Sequence, residues 1–503
     1  MEDIVIVGAG PVGLMLACEL GLAGVRPIVL EKRAEPSELP KANGLGGQIV
    51  ELLDHRGLLE PFSAGSPFTG RPPGFPFGGA DLRFDGIDDI PLRLLLIQQP
   101  RLERLLTERA LELGADIRRG REVRSLSQNE EGVTLELDEG RMRARYVAGC
   151  DGAGSLVRRW AGIEFAGTTD DEGLMVGHFK TDLAVFDSLE SDGLRPGWNR
   201  TPRGRVLLTS LHEGVLIAGV REPGASQSDS VTLADFQAAL RRVLGRELPL
   251  GEPIWLSSTV AQARLAERYR AGRVFLAGDA AHLFPAGGSA LNVGMTDAVN
   301  LGWKLAARLR RRVPEALLDT YEGERRPVGA RTLTQTRAQA AIDRADGADG
   351  EALREVLSEV FAFEQPARHL ATLLHDSGIR YGHPGEQAAG PVTGPDAGPE
   401  AGPDATSGAG PGGHPLAGRF VPDLRLEGGR RVAELMREGR PVLLDLGGGA
   451  TLDDDWIETV SARCDDPPAG ALLIRPDGYV AWAGGDGLAE AAEQWFGLTA
   501  SRV

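Results

Sequence analysis

The stretch IVIVGAGPVG at residues 4–13 decides the fold, because an apolar run leads directly into a glycine-rich turn. Residues 4–7 predict a buried strand, residues 14–22 a helix, and residues 27–30 a second strand. Glu31 follows that second strand, about 20 residues after the glycine turn. This succession is typical of dinucleotide binding, whereas a glycine turn alone occurs in many proteins.

Each glycine of this turn has a physical role in a dinucleotide site. Gly8 permits the tight turn, Gly10 lets the backbone approach a pyrophosphate, and Gly13 lets the helix pack closely on the strand. The helix N-terminus offers free N–H groups and partial positive charge to the phosphates. Glu31 can accept a hydrogen bond from a ribose hydroxyl. The alternative, a turn without a ligand, is disfavoured by the completed pattern.

A second motif, RVFLAGDAAH at residues 273–282, is another apolar run that ends in Gly278 and Asp279. Residues 285–288 then read PAGG, and a helix is predicted from about residue 290. A carboxylate at a strand end can hold a ribityl hydroxyl, and a glycine-rich helix start can direct N–H groups at an electron-rich ring edge. Asp279 could also terminate a buried sheet without a ligand, although the ligand interpretation is favoured.

A third motif, AGCDGAGSLVR at residues 148–158, again ends a strand with an acid and a glycine and then opens a helix. Asp151 therefore has two interpretations. It could contact a ligand, or it could cap the N-terminus of the following helix.

In this order and spacing the three motifs resemble those of the single-component (class A) flavoprotein monooxygenases of the para-hydroxybenzoate hydroxylase type, over residues 1 to about 382. Within that family the chain looks most like the aromatic polyketide hydroxylases, which carry a C-terminal thioredoxin-like domain without a redox cysteine pair. The resemblance implies FAD as cofactor and NADPH or NADH as transient reductant. It also implies oxygenation of a bulky polycyclic polyketide with O2, by hydroxylation, Baeyer–Villiger insertion or epoxidation.

The resemblance further implies which residues contact FAD. Asp279 would bind the ribityl chain, and Asp151 with Gly152 would serve both FAD and NADPH. Lys41 stands where the family usually has arginine, so the bidentate geometry of a guanidinium is lost there. Gln99 matches a glutamine near the ribityl chain, with Gln98 as a one-residue alternative. The implied cofactor residues are Gly8, Gly10, Pro11, Val12, Gly13, Glu31, Lys32, Arg33, Lys41, Gln99, Val123, Asp151, Gly152, Gly278, Asp279, Pro285, Gly288, Ala290, Leu291 and Asn292.

One stretch departs from the family pattern. Relatives usually have Gly-Gly-Gln-Gly before the asparagine of the flavin-side helix, whereas residues 287–292 here read GGSALN. Ala290 adds a Cβ where a glycine backbone would approach the flavin edge. Either the change is tolerated, or the flavin no longer performs oxygen chemistry. The second interpretation predicts a redox-silent cyclase that forms a decalin from a polyene polyketide by a [4+2] reaction.

The predicted fold class is α/β, with a Rossmann-like FAD-binding domain formed by residues 1–65, 99–170 and 266–382. Residues 66–98 and 171–265 are predicted to form a discontinuous, sheet-based substrate domain. Its Phe75, Phe77, Phe84 and Trp198 would suit a bulky polycyclic substrate. No residue there can be named as the substrate base. His282 is predicted to be packed beside the flavin loop, and Asp54 and His55 to lie on the surface of an amphipathic helix.

Residues 383–415 are nearly half Gly and Pro and contain no Leu, Ile, Met or aromatic residue. Such a segment cannot bury enough apolar surface to offset the entropy of ordering, so it is predicted to be a linker. Residues 416–503 regain buried-strand patterns at 442–446 and 471–474, and helical patterns at 431–437 and 488–496. They are predicted to form the small thioredoxin-like domain without a CxxC pair.

Composition narrows the other possibilities. The 503 residues carry a net charge of −17, which disfavours binding to nucleic acid or anionic membranes. Cys18, Cys150 and Cys464 are far apart, so neither a disulfide framework nor a metal site is predicted. The apolar run at residues 4–18 is too short to span a bilayer. We therefore expect a cytoplasmic enzyme, as a monomer or homodimer, whose partner is a small polyketide.

Overall fold

The computed structural model describes residues 1–181, 193–212, 214–224, 230–285, 288–311, 313–382 and 414–498, together with positions 185 and 189. Over these residues the chain forms a large mixed sheet, an antiparallel sheet and a small C-terminal sheet, all accompanied by helices. This architecture confirms the predicted α/β fold class. Most of the predicted linker, and Gly287 of the flavin-side stretch, lie outside the described residues.

The helices fall into an N-terminal set, a long central set and a C-terminal set. They are α1 (Pro11–Leu22), α2 (Gln48–His55), α3 (Leu59–Ser63), α4 (Gln99–Glu112), α5 (Leu156–Trp160), α6 (Leu233–Leu244), α7 (Ala290–Arg310), α8 (Ala316–Arg344), α9 (Gly347–Phe361), α10 (Glu364–His375), α11 (Val432–Leu435) and α12 (Leu488–Phe496). Short 3-10 turns cover Gly278–Ala280 and Met436–Glu438.

Many of the strands follow one another in runs between these helices. Those before the antiparallel sheet are β1 (Glu2–Val7), β2 (Ile28–Glu31), β3 (Leu45–Gly46), β4 (Thr69–Gly70), β5 (Gly74–Phe77), β6 (Ala80–Arg83), β7 (Leu94–Leu95), β8 (Asp116–Arg119), β9 (Val123–Gln128), β10 (Val133–Leu137) and β11 (Gly140–Gly149). The later ones are β12 (Phe165–Lys180), β13 (Gly197–Thr201), β14 (Gly204–His212), β15 (Val215–Pro223), β16 (Glu252–Ala266), β17 (Arg270–Ala271), β18 (Val274–Leu276), β19 (His282–Leu283), β20 (Val442–Asp445), β21 (Glu458–Ser461), β22 (Ala471–Ile474) and β23 (Val480–Ala483).

The centre of the large sheet brings the three sequence motifs to one edge. Its strands run in the order β18-β11-β1-β2-β8, and each neighbouring pair is parallel. In register, Val7 at the end of β1 pairs with Gly149 of β11, which pairs with Leu276 of β18. Because parallel strands end at the same edge, the turns that follow them meet there, where ligands bind in open α/β sheets.

The antiparallel sheet forms the second layer, in the order β13-β14-β15-β12-β16-β19. Helix α6 packs against it through Phe236, whose ring meets that of Phe179 at a centroid distance of 5.3 Å. Strands β12 and β16 pair from Phe165 with Ala266 to Lys180 with Glu252, with irregularities between Thr169 and Gly173 and between His178 and Phe179. Both strands extend across the predicted domain boundaries near residues 170 and 265. The first irregularity of the ladder lies at the boundary near residue 170.

Two sequence interpretations need correction. Phe77 and Phe84 are buried in a core with residues of α9 and α10, and the ring of Phe77 packs edge-on against Phe361 at 5.8 Å. They support the fold there and leave no side-chain face for a substrate. His55 was expected on the surface but is 3% exposed, because the C-terminal domain covers it and Phe420 stacks on its ring at 5.1 Å.

The C-terminal domain is a four-stranded sheet, β21-β20-β22-β23, with α11 and α12 packed on it. Strands β20, β22 and β23 are buried on both faces, in agreement with their uninterrupted apolar sequences. Trp495 and Phe496 of α12 pack against Trp303 of α7, so this domain shares a core with the cofactor domain.

Candidate cofactor site

A cleft of about 660 Å³ opens where the parallel strands end. This volume lies within the range of small-molecule sites. Sixteen of the twenty predicted cofactor residues line the cleft, namely Gly8, Gly10, Pro11, Val12, Glu31, Lys32, Arg33, Lys41, Gln99, Val123, Asp151, Gly152, Asp279, Gly288, Ala290 and Leu291. The other four, Gly13, Gly278, Pro285 and Asn292, do not belong to its lining, and the structure gives two of them packing roles.

The first glycine turn combines close packing with an open face. A Cβ on Gly8, whose φ is +108°, would lie 2.4 Å from the carbonyl oxygen of Cys150. A Cβ on Gly13 would lie 2.0 Å from the carbonyl oxygen of Gly8, so Gly13 brings α1 onto the turn. A Cβ on Gly10 would meet nothing within 4 Å. Gly10 therefore leaves space for a ligand, as its predicted role requires.

Glu31 is fixed at the end of β2 by backbone donors. Its Oε2 accepts a hydrogen bond from the N–H of Ala9 at 2.9 Å, and its Oε1 accepts one from the N–H of Arg33 at 2.9 Å. Each carboxylate oxygen has a second lone pair, so Glu31 can still accept from a ligand hydroxyl. The acid thus links the glycine turn to the segment that carries Lys32 and Arg33.

Asp151 caps a helix through one carboxylate oxygen and leaves the other oxygen without a partner among the described residues. Its Oδ2 accepts hydrogen bonds from the N–H groups of Leu156 at 2.7 Å and Val157 at 3.1 Å, and so caps the first turn of α5. Its Oδ1 is buried and has no partner among the described residues. A buried acceptor without a donor is rare in native proteins, so this atom indicates a missing partner in the cleft.

The second motif places Asp279 in the 3-10 turn after β18. Burial raises the pKa of the Asp279 carboxyl, while the charges of His282 and Lys41 act in the opposite direction. Gly278, one residue earlier, has a φ of +64°, and a Cβ there would lie 2.9 Å from Val12. Gly278 therefore packs the turn against α1 and leaves Asp279 at the cleft wall.

Of the two candidate glutamines, the geometry favours Gln99 over Gln98. Gln99 begins α4 and lines the cleft, whereas Gln98 is the residue before the helix and is absent from the described lining. The Nε2 of Gln99 donates to Glu103 at 2.8 Å, so the Oε1 of Gln99 can accept from other donors. Val123 begins β9 and is buried at the adjacent wall.

The start of α7 forms the far end of the cleft. Helix α7 begins at Ala290, so its first N–H groups have no intrahelical acceptors. Asn292 donates from Nδ2 to the carbonyl of Gly288 at 2.6 Å and accepts at Oδ1 from the N–H of Gly46 at 3.1 Å. Asn292 therefore ties the flavin-side turn to β3. Pro285 precedes this turn and is half-buried.

Some lining residues were not predicted. Asn43 lines the cleft with an Oδ1 that is buried and has no partner among the described residues. Its position two residues after Lys41 was the available signal. Arg121 and Trp160 also line the cleft. Arg121 lies between β8 and β9 without a motif nearby, whereas Trp160 lies on α5, the helix that follows the third motif.

His282 lies behind the cleft, fully buried as predicted. Its Nε2 is 2.8 Å from Oδ2 of Asp297, whose Oδ1 accepts from Arg325 at 2.7 Å. Arg325 and His282 hold the pKa of Asp297 below its ordinary value despite burial. Asp297 also accepts from the N–H of Gly278 at 3.2 Å. This cluster therefore holds the second motif in place through the hydrogen bond from Gly278 to Asp297.

Two known protein families match this chain. Residues 1–336 match the FAD binding domain family, and residues 414–499 match the family of C-terminal domains of aromatic-ring hydroxylases. The chain belongs to the FAD-dependent aromatic-ring hydroxylases. As a member of this family it is an FAD-dependent monooxygenase.

Similar proteins extend over the whole length of this hydroxylase. A 12-dehydrotetracycline 5-monooxygenase/anhydrotetracycline 6-monooxygenase from Streptomyces rimosus subsp. rimosus is 40% identical, over 98% of this chain and 99% of that protein. A dialkyldecalin synthase from Streptomyces rugosporus is 37% identical, over 99% of this chain and 100% of that protein. The solved anhydrotetracycline hydroxylase from Streptomyces rimosus is 40% identical, covers 99% of both chains and gives a TM-score of 0.84.

The residues present fit FAD. The open face of Gly10 and the unpartnered Oδ1 atoms of Asp151 and Asn43 are features that a bound dinucleotide would occupy. No described helix of this hydroxylase has the length and apolar character needed to cross a membrane.

Proposed function

We propose that this monooxygenase uses NAD(P)H and O2 to hydroxylate a bulky polycyclic substrate of the polyketide class. The observation that carries the proposal is the continuous cofactor cleft in a chain that aligns end to end with an anhydrotetracycline monooxygenase. We expect a cytoplasmic enzyme, as a monomer or homodimer, without nucleic-acid or membrane partners. The net charge of −17 supports the last expectation.

The twenty cofactor residues of the sequence analysis are proposed to bind FAD as follows. The glycine turn and the start of α1 would hold the pyrophosphate, since Gly10 leaves the backbone accessible and Pro11 begins the helix. Glu31 would accept from the adenosine ribose. Asp279 and Gln99 would contact the ribityl chain, and Asp151 would accept from FAD or from NADPH.

The chemistry that bound FAD would supply is acceptance of a hydride from NAD(P)H and then delivery of one oxygen atom of O2 to the substrate, while the other oxygen atom leaves as water. The N–H groups at the start of α7 would stabilise negative charge at the ring edge, because they lack intrahelical acceptors and lie at the positive end of the helix dipole. The antiparallel sheet would exclude water from the reacting atoms.

The proposal is tested by adding NADPH anaerobically to the FAD-loaded protein, with and without an anhydrotetracycline-like phenol. Bleaching of the flavin absorbance, recovery on admission of O2 and a product heavier by one oxygen atom are the expected results. Asp151→Asn is the matched variant, since it keeps an oxygen to cap α5 and removes the charge. A flavin that is never reduced by NADPH or NADH with any such substrate would overturn the proposal.

A second candidate, non-redox cyclisation of a polyene, is favoured by one specific observation. Ser289 and Ala290 occupy the flavin-side turn where the family usually has Gln-Gly, and the dialkyldecalin synthase is 37% identical. If bound FAD stays oxidised while a polyene substrate is consumed without a change of mass, this candidate is correct.

A further inference from the structure

The turn between β22 and β23 is buried, although it is a reverse turn of the C-terminal domain. Arg475, Asp477 and Tyr479 are 1%, 2% and 3% exposed. Turns normally lie in water, because their backbone groups need partners. We call residues 475–479 the junction turn. Its burial follows from insertion into the FAD-binding domain, among α2, α7 and α8.

Charged contacts hold the junction turn there. Arg475 donates to both carboxylate oxygens of Glu324 on α8, at 2.7 and 2.8 Å. Asn300 on α7 donates to Oδ2 of Asp477 at 3.0 Å. All four side chains are buried, so these contacts link the C-terminal domain to α7 and α8 away from water.

Tyr479 is the residue of the junction turn that reaches α2. Its hydroxyl donates to Oε1 of Gln48 at 3.1 Å. Gln48 is the first residue of α2 and is 3% exposed. Its Nε2 is buried and has no acceptor among the described residues. Tyr479 therefore fixes one end of the carboxamide, while the donor end is free for a ligand.

The segment before Gln48 is tied to the cofactor site. Gly44 lines the cleft, and the N–H of Gly46 donates to Asn292 at 3.1 Å. Gly47 has a φ of +76°, and a Cβ there would lie 3.1 Å from the carbonyl oxygen of Leu374. The position of Gln48 is therefore determined on one side by α7 and α10, and on the other by Tyr479.

Gln48 borders a small polar cavity beside the start of α7. The cavity of about 20 Å³ has room for one oxygen-sized group, and Ser289, Asn292 and Asp376 also line it. Ser289 and Asn292 face this cavity, whereas Gly288 and Ala290 face the cofactor cleft. The first turn of α7 thus separates the two spaces. Gln48 also borders a cavity of about 180 Å³ at the domain junction, which has no residue of α7 in its described lining.

We propose that Gln48 is a substrate-binding residue and that Tyr479 of the C-terminal domain is its positioning residue. The Nε2 of Gln48 donates to a carbonyl or phenolate oxygen of the substrate that enters the cavity beside α7. The inference rests on the proposed function, because it requires a substrate on this side of the flavin. FAD is the other source of a carbonyl oxygen, but Gln48 is not among the described residues of the cofactor cleft.

The test compares Gln48→Ala, Tyr479→Phe and the double variant in the FAD-loaded full chain. Tyr146→Phe is the control, since it removes a hydroxyl whose partner is Glu315, far from Gln48 in the sequence. For each protein we would measure the FAD dissociation constant, the melting temperature, and kcat and KM for the phenolic substrate at saturating FAD. We expect KM to rise about tenfold in both single variants, with little change in kcat or FAD affinity.

The double variant distinguishes a positioning role of Tyr479 from an unspecific loss of structure. If Tyr479 acts through Gln48, Gln48→Ala/Tyr479→Phe raises KM no further than Gln48→Ala does. The inference would be overturned if the effects of the two substitutions on KM were additive, or if Gln48→Ala had the same KM as wild type. In either case, turnover by the wild-type enzyme would still support the proposed function. If Gln48→Ala weakened FAD binding but left KM unchanged, Nε2 of Gln48 would be assigned to FAD, and its role in substrate binding would be overturned. A wild-type enzyme without turnover would overturn both.

Discussion

At the scale of single residues, the glycine turn at residues 8–13 combines close packing of protein atoms with open space. Gly13 is needed because a Cβ there would overlap protein atoms, whereas a Cβ on Gly10 would meet no protein atom, and we propose that glycine is needed there for the approach of a ligand. Asp151 divides its two oxygens in the same way, between the cap of α5 and the cleft.

The glycine pair gives the first prediction. Gly10→Ala should leave the unfolding free energy of the FAD-free protein within about 0.5 kcal/mol of wild type, since its Cβ meets no protein atom. The same variant should lose at least about tenfold in FAD affinity, because the methyl group occupies the approach of the pyrophosphate. Gly13→Ala should destabilise the FAD-free protein by about 1–3 kcal/mol. Urea unfolding and FAD titration measure both, and equal effects of the two variants would contradict the assignment.

At the scale of elements, α7 serves two neighbours. Its first turn borders the cleft, and its next turn packs directly on the second motif through Gly294. A Cβ on Gly294 would lie 2.9 Å from Cα of Gly278 and 2.8 Å from Val12. The helix thus approaches the backbone as closely as only glycine allows.

Gly294→Ala should therefore destabilise the protein by about 1–3 kcal/mol, although alanine is the better helix former. The clash would push α7 away from the turn that carries Asp279, so FAD affinity should fall as well. Gly378→Ala is the control, since a Cβ there would make only ordinary contacts, 3.4 Å from Thr372, and Gly378 is not among the described residues of the cleft. Thermal unfolding and FAD retention report the difference; a stabilised Gly294→Ala protein would show that α7 can move away without loss.

At the scale of the whole molecule, a buried ionic cluster joins the C-terminal domain to α7 and α8. Burial raises the pKa of Glu324, but Arg475 and Lys304 outweigh it and lower this pKa to about 2. Removing the charge leaves the buried Lys304 without its carboxylate partner and leaves Arg475 with Asp477 alone.

Glu324→Gln should therefore destabilise the protein by about 3–5 kcal/mol in urea unfolding. Asp85→Asn is the control: its exposed pair with Arg83 is worth about 0–1 kcal/mol. Two separate unfolding transitions in wild type would show that the domains are not coupled as this cluster requires.

The same junction predicts a dependence on pH. Burial and the neighbouring Arg56 lower the pKa of His55 to about 4, from an ordinary value of 6.5. Between these values the unfolded chain binds a proton that the folded chain does not, so stability falls as the pH decreases from 6.5 towards 4, by up to about 3 kcal/mol. His55→Gln should show a shallower decline over this range in urea unfolding at each pH. Identical slopes would show that His55 is protonated in the folded protein.

The sequence by itself determined the α/β class and the three motifs, and it predicted sixteen residues that line the cleft, because strand, turn and helix signals are local. The pattern at residues 4–31 specifies β1, α1 and β2, and the apolar runs before Asp151 and Asp279 specify β11 and β18. Since parallel strands end at one edge, the convergence of these motifs also follows from the sequence.

Only the tertiary structure decided what lies between the domains. His55 belongs to an amphipathic helix and was expected in water, yet the C-terminal domain buries it. Gln48, Glu324 and Arg475 lie in different segments without a shared motif, and their contacts span 151 residues or more in sequence. Such pairings depend on how two folded surfaces meet, and a local pattern carries no information about that meeting.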